Sequence, residues 1–189
     1  MLPYGKVKNE NLYRNPEIRK TLALLGAFCF FLSTVEYMIP KPLPFMRIGI
    51  ANLPIMLALD IFPLRVFLVL VILKILGQAL ITGTLFSYVF LFSLAGTFLS
   101  AISMYALRRL LGRSHLSFIG LGTLGAMISN ISQLSLAWVF IFRNTVQYIA
   151  PPFLAAGLIT GVILGLFCEL FTRRSQWYAT AKVRFHEKT

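Results

Sequence analysis

Lys74 lies inside a hydrophobic stretch, and an ammonium there marks a functional site by default, because a charge within a membrane segment is costly. Gln78 and Thr82 follow it at four-residue steps, so in a helix the three share one face. Asn130 and Gln133, three apart in a later apolar stretch, again share roughly one face. Glu36 stands near the end of the first hydrophobic segment, Arg47 in the connection after it, and Asn52 inside the second. Together, Lys74, Gln78, Asn130, Gln133, Asn52, Arg47 and Glu36 could line an outward-facing cavity for a polar or anionic ligand. The competing use of Gln78, Asn130 and Gln133 is hydrogen bonding between neighbouring helices. The residues themselves leave both uses open.

Enzyme signatures are largely absent. The chain has a single aspartate, Asp60, so no aspartate-rich motif for a magnesium-bound diphosphate can be built. It has no Walker loop and no HExxH, and its two histidines, His115 and His186, fall outside the hydrophobic stretches. The expectation is a protein that is not an enzyme, with no cofactor and no metal site. Cys29 and Cys168 sit in different hydrophobic runs without metal-ligand spacing and read as small buried apolar side chains. Two small-residue faces remain. Gly157, Gly161 and Gly165 make a groove for close helix approach, expected mainly within the bundle, and Ala23 and Ala27 form a second such face with Gly26 between them. Glu169 and Arg173 are spaced to pair.

The elements that must position these residues follow from where the charge is missing. Of the 189 residues, 58% are hydrophobic and 13% charged. A soluble domain carries roughly a quarter charged residues. No charge occurs from Thr21 to Val35, Ile75 to Leu107, Leu116 to Phe142 or Asn144 to Cys168. A helix needs about 20 apolar residues to cross the hydrocarbon core, so these runs can span. The fold class expected is an all-α membrane protein, a bundle of about six transmembrane helices with lipid as its surrounding solvent. The first segment runs from about Thr21 to Ile39 and stops at the proline cluster Pro40–Pro44. The second, about Ile48 to Phe62, is short. The third covers about Leu64 to Ile81 and ends at Thr82-Gly83-Thr84, where glycine lets the chain turn. The fourth covers Leu85 to Leu111, the fifth Leu116 to Phe142, and the sixth begins near Pro151-Pro152 and ends near Arg173. Residues 1–19 and 175–189 are basic cytoplasmic tails around a transmembrane domain of residues 20–174. The first 20 residues are polar and basic rather than a signal peptide, so the first segment is expected to persist.

Charge then sets orientation. With six crossings and the N-terminus inside, fourteen of the eighteen Lys and Arg fall on the inside. Lys41, Arg47 and Arg143 fall outside, and Lys74 lies within segment three. The bias matches the positive-inside rule and requires an even number of crossings, which places both termini in the cytoplasm. Four crossings would result if segments two and three formed a re-entrant hairpin. The formal net charge of +12 is distributed between hydrophobic segments and at the ends, with no soluble basic face or aromatic platform, which argues against nucleic acid as a partner.

Gly49-Ile50-Ala51-Asn52, Thr82-Gly83-Thr84-Leu85-Phe86-Ser87 and Phe90-Leu91-Phe92-Ser93-Leu94-Ala95-Gly96 carry a resemblance to a bacterial membrane family. The chain resembles the Gx transporter family, often labelled heptaprenyl diphosphate synthase component I. That family is similar to substrate-binding S components of energy-coupling factor transporters. The resemblance covers roughly Thr21 to Arg173; Ser129 stands where a histidine is common and Lys74 where an arginine is common. It implies an S-component-like subunit of the bacterial inner membrane that captures a vitamin-like ligand near the outer face. Release would then follow association with a transmembrane coupling subunit and its ATPases. It further implies that Ala23 and Ala27 match the alanine face that meets the coupling subunit. The ligand expected is a flavin, a quinone precursor or another anionic metabolite. The rival readings are a non-catalytic accessory protein in isoprenoid or quinone metabolism and a subunit of a membrane electron-transfer complex.

Overall fold

The computed structural model describes residues 16–40, 48–142 and 145–186. Among the described residues, five helices are long and apolar enough to cross a membrane. They are α1 (Pro16–Met38), α3 (Leu64–Thr82), α4 (Tyr88–His115), α5 (Phe118–Ala137) and α6 (Val146–Arg174). A short α2 (Leu53–Ala58) precedes α3, and α7 (Gln176–His186) follows α6. No strand occurs among the described residues, so the expected all-α membrane bundle is what the chain forms.

Local chemistry places the breaks. Gly83 adopts φ 65°, a left-handed conformation suited to glycine, and closes α3 with its N–H on Leu80 O. The turn expected at Thr82-Gly83-Thr84 is therefore present. α4 starts at Tyr88, three residues later than expected, because Ser87 Oγ accepts the Val89 N–H at 3.1 Å and caps it. Ser117 caps α5 in the same way, accepting from Gly120 N–H at 3.2 Å. The sixth segment begins at Val146, not at Pro151-Pro152, and both prolines lie inside the helix with their rings exposed. α5 continues as a π-helical turn over Trp138–Phe142.

The second segment departs most from expectation. A single 3₁₀ turn (Ile50–Asn52) leads into α2, whose six residues rise only about 9 Å. That is a third of the roughly 30 Å hydrocarbon core, so this segment is not a spanning helix of its own. It is instead the centre of the bundle. Leu53 to Leu59 are all buried, and α2 contacts α1, α3, α5 and α6. Its two ends nevertheless belong to opposite ends of the molecule. Ile48 and Ala51 donate their N–H groups to Glu36 at the C-terminal end of α1. Asp60 meets Arg108 near the C-terminal end of α4 and Tyr178 in α7. Trp177, Thr180 and Ala181 of α7 share a groove with Glu17, Lys20, Thr21 and Leu24 at the start of α1. The start of α1 and the end of α6 therefore lie at one end of the bundle, with the short element carrying the chain back between spans.

Glycines set how closely the helices pack. A Cβ on Gly161 would stand 2.8 Å from Gly122 O, and one on Gly165 2.5 Å from Ile119 Cα. The groove of α6 thus receives the backbone of α5, as the within-bundle reading required. Phe31, Leu80, Ile131, Phe140 and Ile163 are exposed on the outside of the bundle, where lipid solvates apolar side chains. Cys29 and Cys168 are free thiols, both fully buried. Arg173 pairs with Glu169 at 3.0 Å, and the other carboxylate oxygen of Glu169 accepts the first N–H of α5, from Phe118, at 3.1 Å. The segment expected as a C-terminal tail contains α7, whose Tyr178 and Ala181 are buried.

Candidate functional site

A cavity opens inside the bundle between the 3₁₀ turn, α2, α3, α4, α5 and α6. Its polar lining comes from Glu36, Asn52, Lys74, Thr97, Ser129 and Asn130, with Ser100 and Thr160 beside them. Four of the seven residues singled out from the sequence, Glu36, Asn52, Lys74 and Asn130, thus meet around one space. Gln78 and Gln133 do not line it. They are 1% exposed and lie one helical turn beyond Lys74 and Ser129. Arg47 falls outside the described residues.

Each polar group reached its place for a local reason. Lys74 is 2% exposed, and its ammonium donates to Thr97 Oγ1 at 3.1 Å, across the α3–α4 interface. Glu36 is 1% exposed, and its two carboxylate oxygens accept from Ile48 N–H (3.1 Å) and Ala51 N–H (3.2 Å). These bonds fasten the turn that carries Asn52 against α1, so Glu36 holds the rim of the cavity. Gly49, at φ 90°, permits that turn. Asn130 donates from Nδ2 to the Phe153 carbonyl at 3.0 Å, bridging α5 to α6. Gln133 donates to Ser129 Oγ at 3.0 Å. The bridging use of intramembrane amides therefore accounts for one group of Asn130, whereas the Gln133 bond stays within α5.

It does not account for all of them. Asn52 Oδ1, Gln78 Oε1, Ser93 Oγ and Gln133 Oε1 are buried with no hydrogen-bond partner. Each such group costs about 1–3 kcal/mol when unmatched, and native structures keep few of them. Asn52 lines the cavity, while Gln78, Ser93 and Gln133 lie one helical turn from its lining residues Lys74, Thr97 and Ser129, so the unmatched groups gather beside one space. The cavity itself is narrow. About 30 Å³ is open to the centres of water-sized spheres, room for about two water molecules, whereas small-molecule sites measure roughly 300–1,000 Å³. A cofactor-sized molecule fits only if the walls part.

Sequence reasoning missed the α4 contribution. Ser93, Thr97 and Ser100 are each at most 4% exposed, and their steps of four and three residues put them on one face. That spacing was the available signal, masked because single hydroxyls are ordinary in membrane helices. A second missed cluster closes the far end of α2. Arg108 grips Asp60 through two bonds, Nε to Oδ1 at 2.9 Å and Nη2 to Oδ2 at 2.8 Å, and Tyr178 Oη donates to Asp60 Oδ2 at 3.2 Å. Arg108 also donates to the Leu116 carbonyl and lies 4.7 Å over the Phe118 ring. Among the described residues no group of three or more His, Cys, Asp and Glu stands together to hold a metal. Ala23 and Ala27 are both exposed on α1, away from the cavity.

A family profile described as heptaprenyl diphosphate synthase component I matches residues 25–171, more than three quarters of the chain. Neither the curated proteins nor the solved structures give a match. The matched region begins within α1 and ends within α6, so it contains every described residue of the cavity. This multi-pass membrane protein belongs to the heptaprenyl diphosphate synthase component I family, the Gx transporter family.

Proposed function

We propose that the chain is the substrate-binding membrane subunit of an uptake system for a small cofactor-type molecule, with its energy supplied by a partner. The observation that carries this reading is the convergence of Glu36, Asn52, Lys74 and Asn130, from four separate elements, on one internal cavity. Lys74 supplies a buried cation for an anionic group. Helix glue rarely needs a full charge. The exposed Ala23 and Ala27 offer α1 for close approach by a coupling subunit and its ATPases. The protein sits in a bacterial inner membrane with both termini cytoplasmic, in keeping with the fourteen basic residues assigned to that side. It binds rather than transforms its ligand, a reading supported by a sequence whose single aspartate, Asp60, builds no aspartate-rich diphosphate motif.

The family's description favours one alternative, a non-catalytic component that works beside a prenyl diphosphate synthase. Extraction of the gently purified full chain, followed by mass spectrometry of what it retains, separates the two. A retained hydrophilic metabolite supports the uptake subunit. A retained prenyl diphosphate or prenyl lipid refutes it in favour of the synthase component.

A further inference from the structure

Gln78 on α3, Ser93 on α4 and Gln133 on α5 form one layer, a helical turn outward from Lys74, Thr97 and Ser129. The register follows from contacts between the helices. Lys74 bonds Thr97, while Asp60, just before α3, bonds Arg108 further along α4, so α3 and α4 run antiparallel with residue 78 opposite residue 93. On the other side, Gly96 faces Gln133 and Ser129, and Gly125 faces Ser100 and Met104, so α4 and α5 are also antiparallel and Ser93 stands level with Gln133. All three residues are at most 3% exposed, and all three carry a side-chain oxygen with no hydrogen-bond partner. Asn130 has its amide N–H on the Phe153 carbonyl and Gln133 has its own on Ser129 Oγ, but the amide oxygens of Gln78 and Gln133 and the hydroxyl oxygen of Ser93 have no partner. Here three helices each present an unmatched polar atom at one level, directly above a cation.

Resting on the ligand-binding reading above, we propose that this layer is the subsite for the hydroxyl groups of a small polyhydroxylated acid whose anionic group lies toward Lys74. A hydroxyl both donates and accepts, so it matches serine and also an amide turned either way. Three hydroxyl-matched positions on three helices suit a chain bearing several hydroxyls. A flat aromatic ring would leave the same atoms unmatched. Binding there would exchange unmatched oxygens for bonded ones.

The test uses the full chain in detergent with three probes: gluconate, which carries both an acid and hydroxyls, hexanoate, which carries only the acid, and sorbitol, which carries only hydroxyls. Gluconate at millimolar concentration is expected to raise Tm, and the other two are not. The triple variant Gln78→Leu, Ser93→Ala, Gln133→Leu removes three unmatched buried oxygens along with the one bond from Gln133 to Ser129, so its unliganded Tm should fall by no more than the loss of that bond, yet it should lose roughly ten-fold or more in gluconate affinity. Ser93→Ala alone should show the same loss of affinity, more weakly, should the triple variant not fold. Equal shifts from hexanoate or sorbitol, or no shift from gluconate, would overturn the proposal. So would a fall in unliganded Tm with unchanged gluconate affinity, the mark of a packing role. A retained metabolite without hydroxyls refutes this subsite and leaves the uptake reading standing, whereas no retained molecule and no probe binding removes both.

Discussion

Replacing Asp60 by asparagine should destabilise the protein severely while hardly changing its shape. The carboxylate holds Arg108 through two bonds of 2.9 and 2.8 Å, with the two side chains 10% and 5% exposed. Asn keeps one acceptor but no charge. Arg108 cannot readily swing to water, because it remains tied to the Leu116 carbonyl and stacked on Phe118. Its charge is therefore left buried and unmatched, a situation that costs about 3–5 kcal/mol. For a chain of this size each kcal/mol lowers Tm by roughly 2–4 °C, which puts the expected drop at roughly 6–20 °C. Tyr178→Phe, which removes only one neutral donor to the same carboxylate, should cost about 0.5–1.5 kcal/mol. The double variant Asp60→Leu with Arg108→Met should recover most of the loss, since an apolar pair of similar bulk replaces a buried ion pair. Thermal unfolding of the four proteins in one detergent measures all of this. An Asp60→Asn protein within about 1 kcal/mol of wild type, the size of an exposed pair, would mean that the pair is screened by solvent and does not anchor α2.

Three further outcomes are expected. Cysteines placed singly at Lys8, Arg109 and Lys182, in a background lacking Cys29 and Cys168, should resist an impermeant thiol reagent in intact cells, and one at Pro42 should react; labelling at only one terminus would mean an odd number of crossings. Ala23→Leu with Ala27→Leu should abolish partner assembly and uptake while leaving ligand binding to the isolated chain intact, because both side chains are exposed; equal loss of folding would place them in the chain's own packing. Gly161→Ala should cost about 1–3 kcal/mol in thermal unfolding, since its Cβ meets the α5 backbone. Gly26→Ala, with open space around it, should change stability by no more than about 1 kcal/mol.

What the sequence made legible tracks the range over which each signal acts. The five long helices and the Gly83 turn were readable because hydropathy and glycine conformation are local. The face of Lys74 and Gln78 was readable because helical periodicity fixes it. The form of segment two, a 3₁₀ turn and a six-residue helix, is not legible because apolar content signals burial without saying whether lipid or protein covers it; here α1, α3, α5 and α6 do. The start of α6 lies more than one turn ahead of the prolines, and no local signal places it, since Thr145 at the N-cap makes no side-chain cap bond. The Asp60–Arg108–Tyr178 cluster joins residues 48 and 70 or more positions apart, and no pattern in a single sequence pairs them. The role of Glu36 was half visible: its position was read, but its use in bonding the Ile48 and Ala51 backbone depends on where the following turn folds back.

The most direct test of a ligand site built around Lys74 is native mass spectrometry of the full chain and of Lys74→Met, released from detergent and paired with a Tm for each. Methionine matches the length of the side chain and removes a desolvated charge, so with ligand stripped from both proteins Tm should change little beyond the loss of the Thr97 bond. Affinity for the retained molecule should fall by about 2–5 kcal/mol, the cost of truncating one side of a buried charge pair, or roughly 30- to 5,000-fold. A bound mass is expected on the wild-type chain and not on the variant, with nearly equal Tm once both are stripped of ligand. The same bound mass on both proteins, or a variant that loses stability while keeping its ligand, would contradict the account.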